Sequence, residues 1–500
     1  MDPASKTCSL PRKGVMSLKT ASLYLCLVVY LSFANSPLLA EGPSKDATKY
    51  QKQIELFTRS NRARAIQDII IEMAGSEEPK IVALLPLAGT ALPSSANFAA
   101  AVEAIEKLKS DAAVEVLVGA LRKKGDYRQR VLILEAFGKR GDAASLTAIT
   151  VELKSNVDNV QVAAIRAARA RKERTPIPTL ISVLEEHWKA HDRVWNEGRL
   201  ALVELTGKDF DSIADWKNFW ASVQASFDPK KVGHEKGPTR IAVKPTKDSV
   251  EFFGTEIFSR SLVFVIDVSG SMLMYDERRE TIGTDDPEGD GEKAGGTRVA
   301  GSGKGGGSGA GKGSDPEGLT GDIEQDRQRL RRAKEQLTRA LRKLSRAAQF
   351  NVITFSDKIL SWQKRLQPAT PANIAAAVKF VNEFQARGAT HTDEALDLAF
   401  GDLAVDTIVL LSDGAPVHRT GLDSRALIPR ILEKIRDINS ARKVTIHTFG
   451  FEGEGRWPEK GPKAGGQKLP PAPTPEEVKT FLEFLKSLAG ESGGEFRAIR

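Results

Sequence analysis

The chain has 500 residues, 41% hydrophobic and 28% charged, an ordinary balance for a soluble globular protein with room for two or three domains. Its formal net charge is +8, but the basic residues are interleaved with acids along helices, which describes solvated faces rather than a nucleic-acid groove. Both cysteines, Cys8 and Cys26, precede residue 41, so a chain processed there has no disulfide, no cysteine nucleophile and no thiolate metal site.

Residues 1–40 read as an export signal. Lys6, Arg12, Lys13 and Lys19 give a positive leading region, and Ala21 to Ala34 is an apolar run too short for a comfortable membrane span. Small residues suit cleavage after Ala34 or after Ala40, and Met16 is an alternative start. The expected location is the periplasm, the cell envelope or the extracellular space. The alternative is an uncleaved N-terminal anchor, the one route to membrane contact.

Residues 45–227 carry apolar side chains at three- and four-residue spacing nearly throughout, the period of amphipathic helices. The run from Val131 to Ala136 is echoed 31 residues later by Val162 to Ala167. Leu146, Ile149 and Leu153 are echoed at the same interval by Ile177, Leu180 and Leu184. A helix pair of that period cannot bury its apolar stripe alone, so neighbours must stack. The pattern resembles an all-α, HEAT-like solenoid of about four or five units, with a non-repetitive helical bundle as the alternative. The Trp-rich end, Asp215 to Trp220, reads as a capping helix. Residues 228–258 are rich in Lys, Pro, Gly and Thr and read as a linker that ends in a short strand near Val250 to Phe253.

Over 259–500 the pattern changes to alternating strands and helices. Ser261 to Asp267, Phe350 to Phe355, Asp406 to Leu411, Val444 to Phe449 and Glu495 to Ile499 read as strands. Gln328 to Ser345, Pro371 to Phe384, Thr392 to Phe400, Ser424 to Ile438 and Pro475 to Ala489 read as helices. This alternation predicts a doubly wound α/β sheet. The basic helix at 327–346 has a leucine stripe for the sheet, which leaves its arginines for solvent. Residues 275–322 interrupt the pattern with dense Gly and scattered charge and read as a disordered insertion. Glu452 to Thr474 reads as a second polar loop.

The strongest chemical signal is Asp267-Val268-Ser269-Gly270-Ser271, at the carboxyl end of the first buried strand. Ligands of open α/β sheets bind beyond those strand ends, near a switch in strand order. One carboxylate and two hydroxyls on a tight turn are hard oxygen donors suited to Mg²⁺. Asp267, Ser269 and Ser271 resemble the Asp-x-Ser-x-Ser element of the von Willebrand factor A (vWA) metal-ion-dependent adhesion site. That family adds a threonine and a second aspartate from later loops. Thr390, in Gly388-Ala389-Thr390-His391-Thr392, and Asp413, after the strand read at Asp406 to Leu411, stand in the matching order. The resemblance covers roughly Phe252 to Arg500 and departs from the family at the long insertion and at Ala389. It implies a vWA domain that binds Mg²⁺ (or Mn²⁺ or Ca²⁺) and captures an Asp or Glu of a protein ligand.

Weaker signals have plainer readings. Gly306 to Lys312 matches most of a phosphate-binding loop but is followed by Gly313, with no Ser or Thr for Mg²⁺. His187 and His191 have a zinc-compatible spacing but read as an exposed helix end. His391 and His418 fall near the expected metal rim, and His391 is the one evident general base should the metal serve hydrolysis. The expected function is exported, metal-dependent protein binding without catalysis and without nucleic acid. The alternative is an envelope scaffold that binds partners through the helical solenoid and uses the vWA metal structurally.

Overall fold

The computed structural model describes residues 44–123, 125–232, 250–276, 328–420, 423–453, 455–457 and 472–500. The segment read as an export signal, nearly all of the Gly-rich insertion and the Gly306 to Lys312 run lie outside the described residues. The chain divides into two compact units: residues up to 243 with Glu433–Lys443, and Lys244–Leu432 with Val444–Arg500. No helix among the described residues is long and apolar enough to cross a membrane.

The first unit is helical. Its elements are α1 (Lys45–Arg59), α2 (Ala63–Met73), α3 (Pro79–Val82), α4 (Leu85–Thr90), α5 (Ser95–Glu106) and α6 (Asp111–Arg122). They continue as α7 (Tyr127–Lys139), α8 (Ala143–Glu152), α9 (Asp158–Arg171), α10 (Ile177–His187), α11 (Arg193–Thr206) and α12 (Ile213–Val223). Capping fixes many of the starts: the side chains of Ser94, Ser110, Asp126, Asp142, Asp192 and Ser212 each accept a backbone N–H of the helix that follows. Alternate helices stack on one another. α2, α5, α7, α9 and α11 form one row, while α3, α6 and α8, and further along α10 and α12, pack in the other. The echoing runs supply this core, with Leu132 and Ile165 both fully buried. Gly138 permits the close approach of α7 to α9, because a Cβ there would lie 3.0 Å from Ala167 Cα.

Arginines fasten the stack. Arg140 Nη1 donates to the carbonyls of Ile105 and Leu108, both at 2.8 Å, at the end of α5. Arg171, 31 residues further on, donates to Ser145 Oγ at 2.9 Å and to the Asp142 carbonyl at 3.2 Å. In α12, which packs on α10, Trp216 is fully buried and meets Phe210 edge-on.

The second unit opens with a hairpin of β1 (Val250–Phe252) and β2 (Thr255–Ile257). Its two-residue turn, Phe253 (φ 46°) and Gly254 (φ 73°), has both central residues left-handed, the form that matches strand twist. Then come β3 (Ser261–Asp267), α13 (Arg329–Arg342), β4 (Gln349–Phe355), β5 (Ile359–Ser361), β6 (Gln367–Pro368), α14 (Pro371–Asn382) and α15 (Thr392–Phe400). β7 (Thr407–Ser412), α16 (Ser424–Arg442, counted with the first unit from Glu433 onward), β8 (Thr445–Phe451), α17 (Pro475–Ser492) and β9 (Phe496–Ile499) complete it. The sheet order is β5-β4-β3-β7-β8-β9, with β4, β3, β7, β8 and β9 parallel. β5 and β6 both pair antiparallel with β4. These edge strands and β2 are too short to show an alternation that sequence reading could detect.

Two expectations need correction. Leu330, Ala333, Leu337 and Leu341 of α13 are buried as the stripe requires, but Arg329 and Arg332 are buried with them instead of facing solvent. The interruption read at 275–322 also begins too early. Tyr275 pairs in isolated bridges with Gln328 and Arg456, and Asp276 is buried.

Candidate metal centre

The chain passes from β3 to β4 on one side and returns to β7 on the other, so the order reverses between β3 and β7. The carboxyl ends of these two strands therefore leave a crevice. Asp267 is the last residue of β3, Ser412 is the last of β7, and Asp413 follows it. A short 3₁₀ turn, Gly270–Leu273, brings Ser271 back over the strand end.

The loop before α15 is pinned to this turn. Gly270 N–H donates to the Gly388 carbonyl at 2.9 Å, and Arg387 N–H to the Val268 carbonyl at 2.8 Å. Gly388 has φ +75°, and a Cβ there would fall 2.2 Å from Asp357 Oδ2. Asp357 Oδ1 in turn accepts Ala389 N–H at 2.8 Å. Only glycine combines that backbone with that neighbour. Thr390 is then held by Val417 N–H, which donates to its carbonyl at 2.8 Å. A Cβ on Gly414 would lie 3.5 Å from Thr390 Oγ1 and 3.8 Å from Ser271 Oγ, so the two hydroxyls flank the same small residue.

The sequence-predicted residues thus come together. Ser269 N–H donates to Asp267 Oδ1 at 2.7 Å, and Ser412 Oγ donates to Asp267 Oδ2. Ser269 Oγ and Ser271 Oγ are 3.0 Å apart, and Ser271 Oγ donates to Asp413 Oδ1 at 2.7 Å. Burial, and then the charge of Asp413, push the Asp267 carboxyl up to about 7. Burial raises Asp413 as well, against the pull of the Arg329 guanidinium. Two desolvated carboxylates edged by hydroxyls form a hard-oxygen donor set that fits Mg²⁺, Mn²⁺ or Ca²⁺. No cluster of three or more His, Cys, Asp or Glu among the described residues could hold a metal, so a cation here needs the hydroxyls.

Sequence reasoning missed Arg329 and Asp276. Arg329 Nη1 donates to Asp413 Oδ2 at 3.1 Å and its Nε to Asp276 Oδ1 at 2.8 Å. Its Nη2 donates to the Gly453 carbonyl at 2.6 Å. Both residues border the Gly-rich stretch, where charge reads as solvated, and no local pattern links positions 53 apart. The histidines play plainer parts. His187 pairs with Asp192 at 2.8 Å, and His191 packs 4.3 Å from the Trp195 ring. His391 is buried and donates through Nδ1 to the Val417 carbonyl at 2.7 Å, while His418 lies 3.7 Å from Asp393. A groove of about 600 Å³ opens from Ser271 and Asp413 along Met274, Val417, Trp457 and Phe481.

Residues 322–458 match the family model described as von Willebrand factor type A domain. That stretch includes Thr390 and Asp413 and begins after the Asp267 to Ser271 turn. The chain is 26% identical over 147 residues to "von Willebrand factor A domain-containing protein 3A" of Homo sapiens, covering 29% of this chain and 10% of that protein. It is 28% identical over 142 residues to "Inter-alpha-trypsin inhibitor heavy chain H1" of Sus scrofa, covering 26% of this chain and 15% of that protein. The chain thus spans 10% and 15% of the length of these two relatives. Among solved structures, "von Willebrand factor type A from Catenulispora acidiphila" aligns at 18% identity and a TM-score of 0.29, covering 49% of this chain and 40% of that one.

Proposed function

Taking the α/β unit as a von Willebrand factor type A domain, we propose that it captures a protein partner through a divalent cation held by Asp267, Ser269, Ser271, Thr390 and Asp413. The observation that carries this reading is the convergence of two buried carboxylates and three hydroxyls at the β3–β7 switch point. Mg²⁺ is the first choice, with Mn²⁺ or Ca²⁺ as alternatives. The cation would supply an electrophilic position that an Asp or Glu of the partner completes. This chain's own residues set the rest: Asp267 and Asp413 supply charge, the hydroxyls supply neutral donors, and the adjoining groove takes the partner's flanking side chains.

We read the protein as a binding protein, not an enzyme. His391, the evident base, is buried, with Nδ1 donating to the Val417 carbonyl and Nε2 turned to Asp357 at 3.9 Å. We further read residues 1–40 as an export signal or N-terminal anchor, and the stacked helical unit as a HEAT-like solenoid that offers a second surface. The test is calorimetry of the whole chain in EDTA and then in Mg²⁺, Mn²⁺ or Ca²⁺, for wild type, Asp267→Ala and Asp413→Ala. Binding to the folded state alone adds about 2.7 kcal/mol at a hundred times the dissociation constant. A metal-dependent rise in the wild type, absent from both variants, is expected. No shift with any ion would overturn the reading and move partner binding to the helical unit.

A further inference from the structure

We propose that Arg329 is a built-in counter-cation of this site: it competes with the dication for Asp413 and thereby couples metal affinity to the partner's carboxylate. The inference rests on the metal reading above. Arg329 is fully buried, and a guanidinium taken out of water is costly unless its hydrogen bonds are met by charge. Here they are met by Asp276, Asp413 and the Gly453 carbonyl, and the group lies 5.4 Å from the Phe451 ring centroid. Arg332 shares the other oxygen of Asp276 and the same ring, so Asp276 is held by two cations.

Charge then decides how the site behaves. Among the described residues, three buried carboxylates, Asp267, Asp276 and Asp413, face two buried guanidiniums, a group that carries one net negative charge without metal when all are ionised. A dication makes it net positive by one, and a single carboxylate from the partner restores neutrality. Without Arg329 the dication alone would reach neutrality, leaving little pull on the partner. Arg329 thus weakens metal binding in isolation and strengthens the response of the loaded site to an anion, so metal and acidic partner reinforce one another. It acts through Asp413 and is a positioning residue.

The experiment is Mn²⁺ titration of the whole chain, followed by the paramagnetic resonance of free Mn²⁺, with and without acetate as the carboxylate probe. Arg329→Gln is expected to bind Mn²⁺ about tenfold more tightly than wild type, the effect of roughly 1.4 kcal/mol of relieved repulsion. Acetate is expected to tighten Mn²⁺ in wild type and to do so less in the variant, while Arg329→Lys, which keeps the charge, returns toward wild type. Asp276→Asn gives a second handle if Arg329→Gln does not fold. It leaves Asp413 as the one carboxylate, beside the Gly453 carbonyl, that holds Arg329 among the described residues, and is expected to weaken Mn²⁺ binding. Equal or weaker Mn²⁺ binding in a folded Arg329→Gln, or unchanged or tighter binding in Asp276→Asn, overturns the inference and leaves the metal reading intact. No Mn²⁺ binding by any of these proteins overturns both.

Discussion

Asp267→Asn offers a quantitative test of the electrostatics at the switch point. Burial and the neighbouring Asp413 charge raise the Asp267 carboxyl from an ordinary 3.8 to about 7. Between those values the native state keeps a proton that the unfolded chain has released. Stability of the metal-free α/β unit therefore falls as pH rises from about 4 to about 7. At about 1.4 kcal/mol per pH unit, the full span corresponds to at most about 4 kcal/mol. Asparagine keeps an oxygen to accept Ser269 N–H and an amide group to face Ser412 Oγ, but it carries no charge. In EDTA the wild-type transition is expected to drop between pH 5 and pH 8, while the variant loses most of that slope. At pH 8 the variant should be the more stable protein. Adding Mg²⁺ at pH 8 should raise the wild type and leave the variant unmoved. Calorimetry of the whole chain reads this directly, because the transition that responds to the substitution belongs to the α/β unit. A wild-type transition in EDTA that stays flat or rises over that range would refute the reasoning, as would a variant that keeps the whole slope.

Gly388→Ala should cost about 1–3 kcal/mol in the α/β transition and abolish metal-dependent stabilisation, because its φ is +75° and Asp357 fills the space. Adding Asp357→Ala should restore part of the stability, measured by the same melt. Arg140→Ala should lower the helical transition by about 1–3 kcal/mol through the loss of its bonds to the carbonyls of Ile105 and Leu108, with the α/β transition unchanged. Ile165→Ala, at a fully buried position in α9, should cost the helical unit about 2–5 kcal/mol in denaturant titration.

What could be read from the sequence depended on whether the signal was local. The buried strand at Ser261–Asp267 and the helix at Thr392–Phe400 have the bounds expected, since an apolar run or an amphipathic turn is written in consecutive residues. The Asp267, Ser269 and Ser271 cluster is legible for the same reason. Arg329 and Asp276 were not, because their partnership spans a stretch whose composition says only solvated charge. A helix rich in arginine also reads as a solvent face unless the acids that bury its first turn are known. The role of Asp357 was hidden likewise, as it acts on Gly388 and Ala389 from a loop 31 or more residues away. β5 and β6 have three and two residues, below the length at which alternation can be seen.

Those short strands have a consequence for how the protein behaves when crowded. A sheet that ends in a long, flat, apolar strand offers unpaired N–H and C=O groups to any similar chain, the first step of aggregation. At one margin, the exposed rim of β4 is taken up by β5 and β6, and Pro368 in β6 has no N–H to offer a newcomer. At the other margin β9 has only four residues, and one of them, Arg497, carries charge and reaches the Gly254 carbonyl at 3.3 Å. Among the described residues, neither border offers a long unpaired edge, and short or covered edges of this kind discourage copies from adding edge to edge.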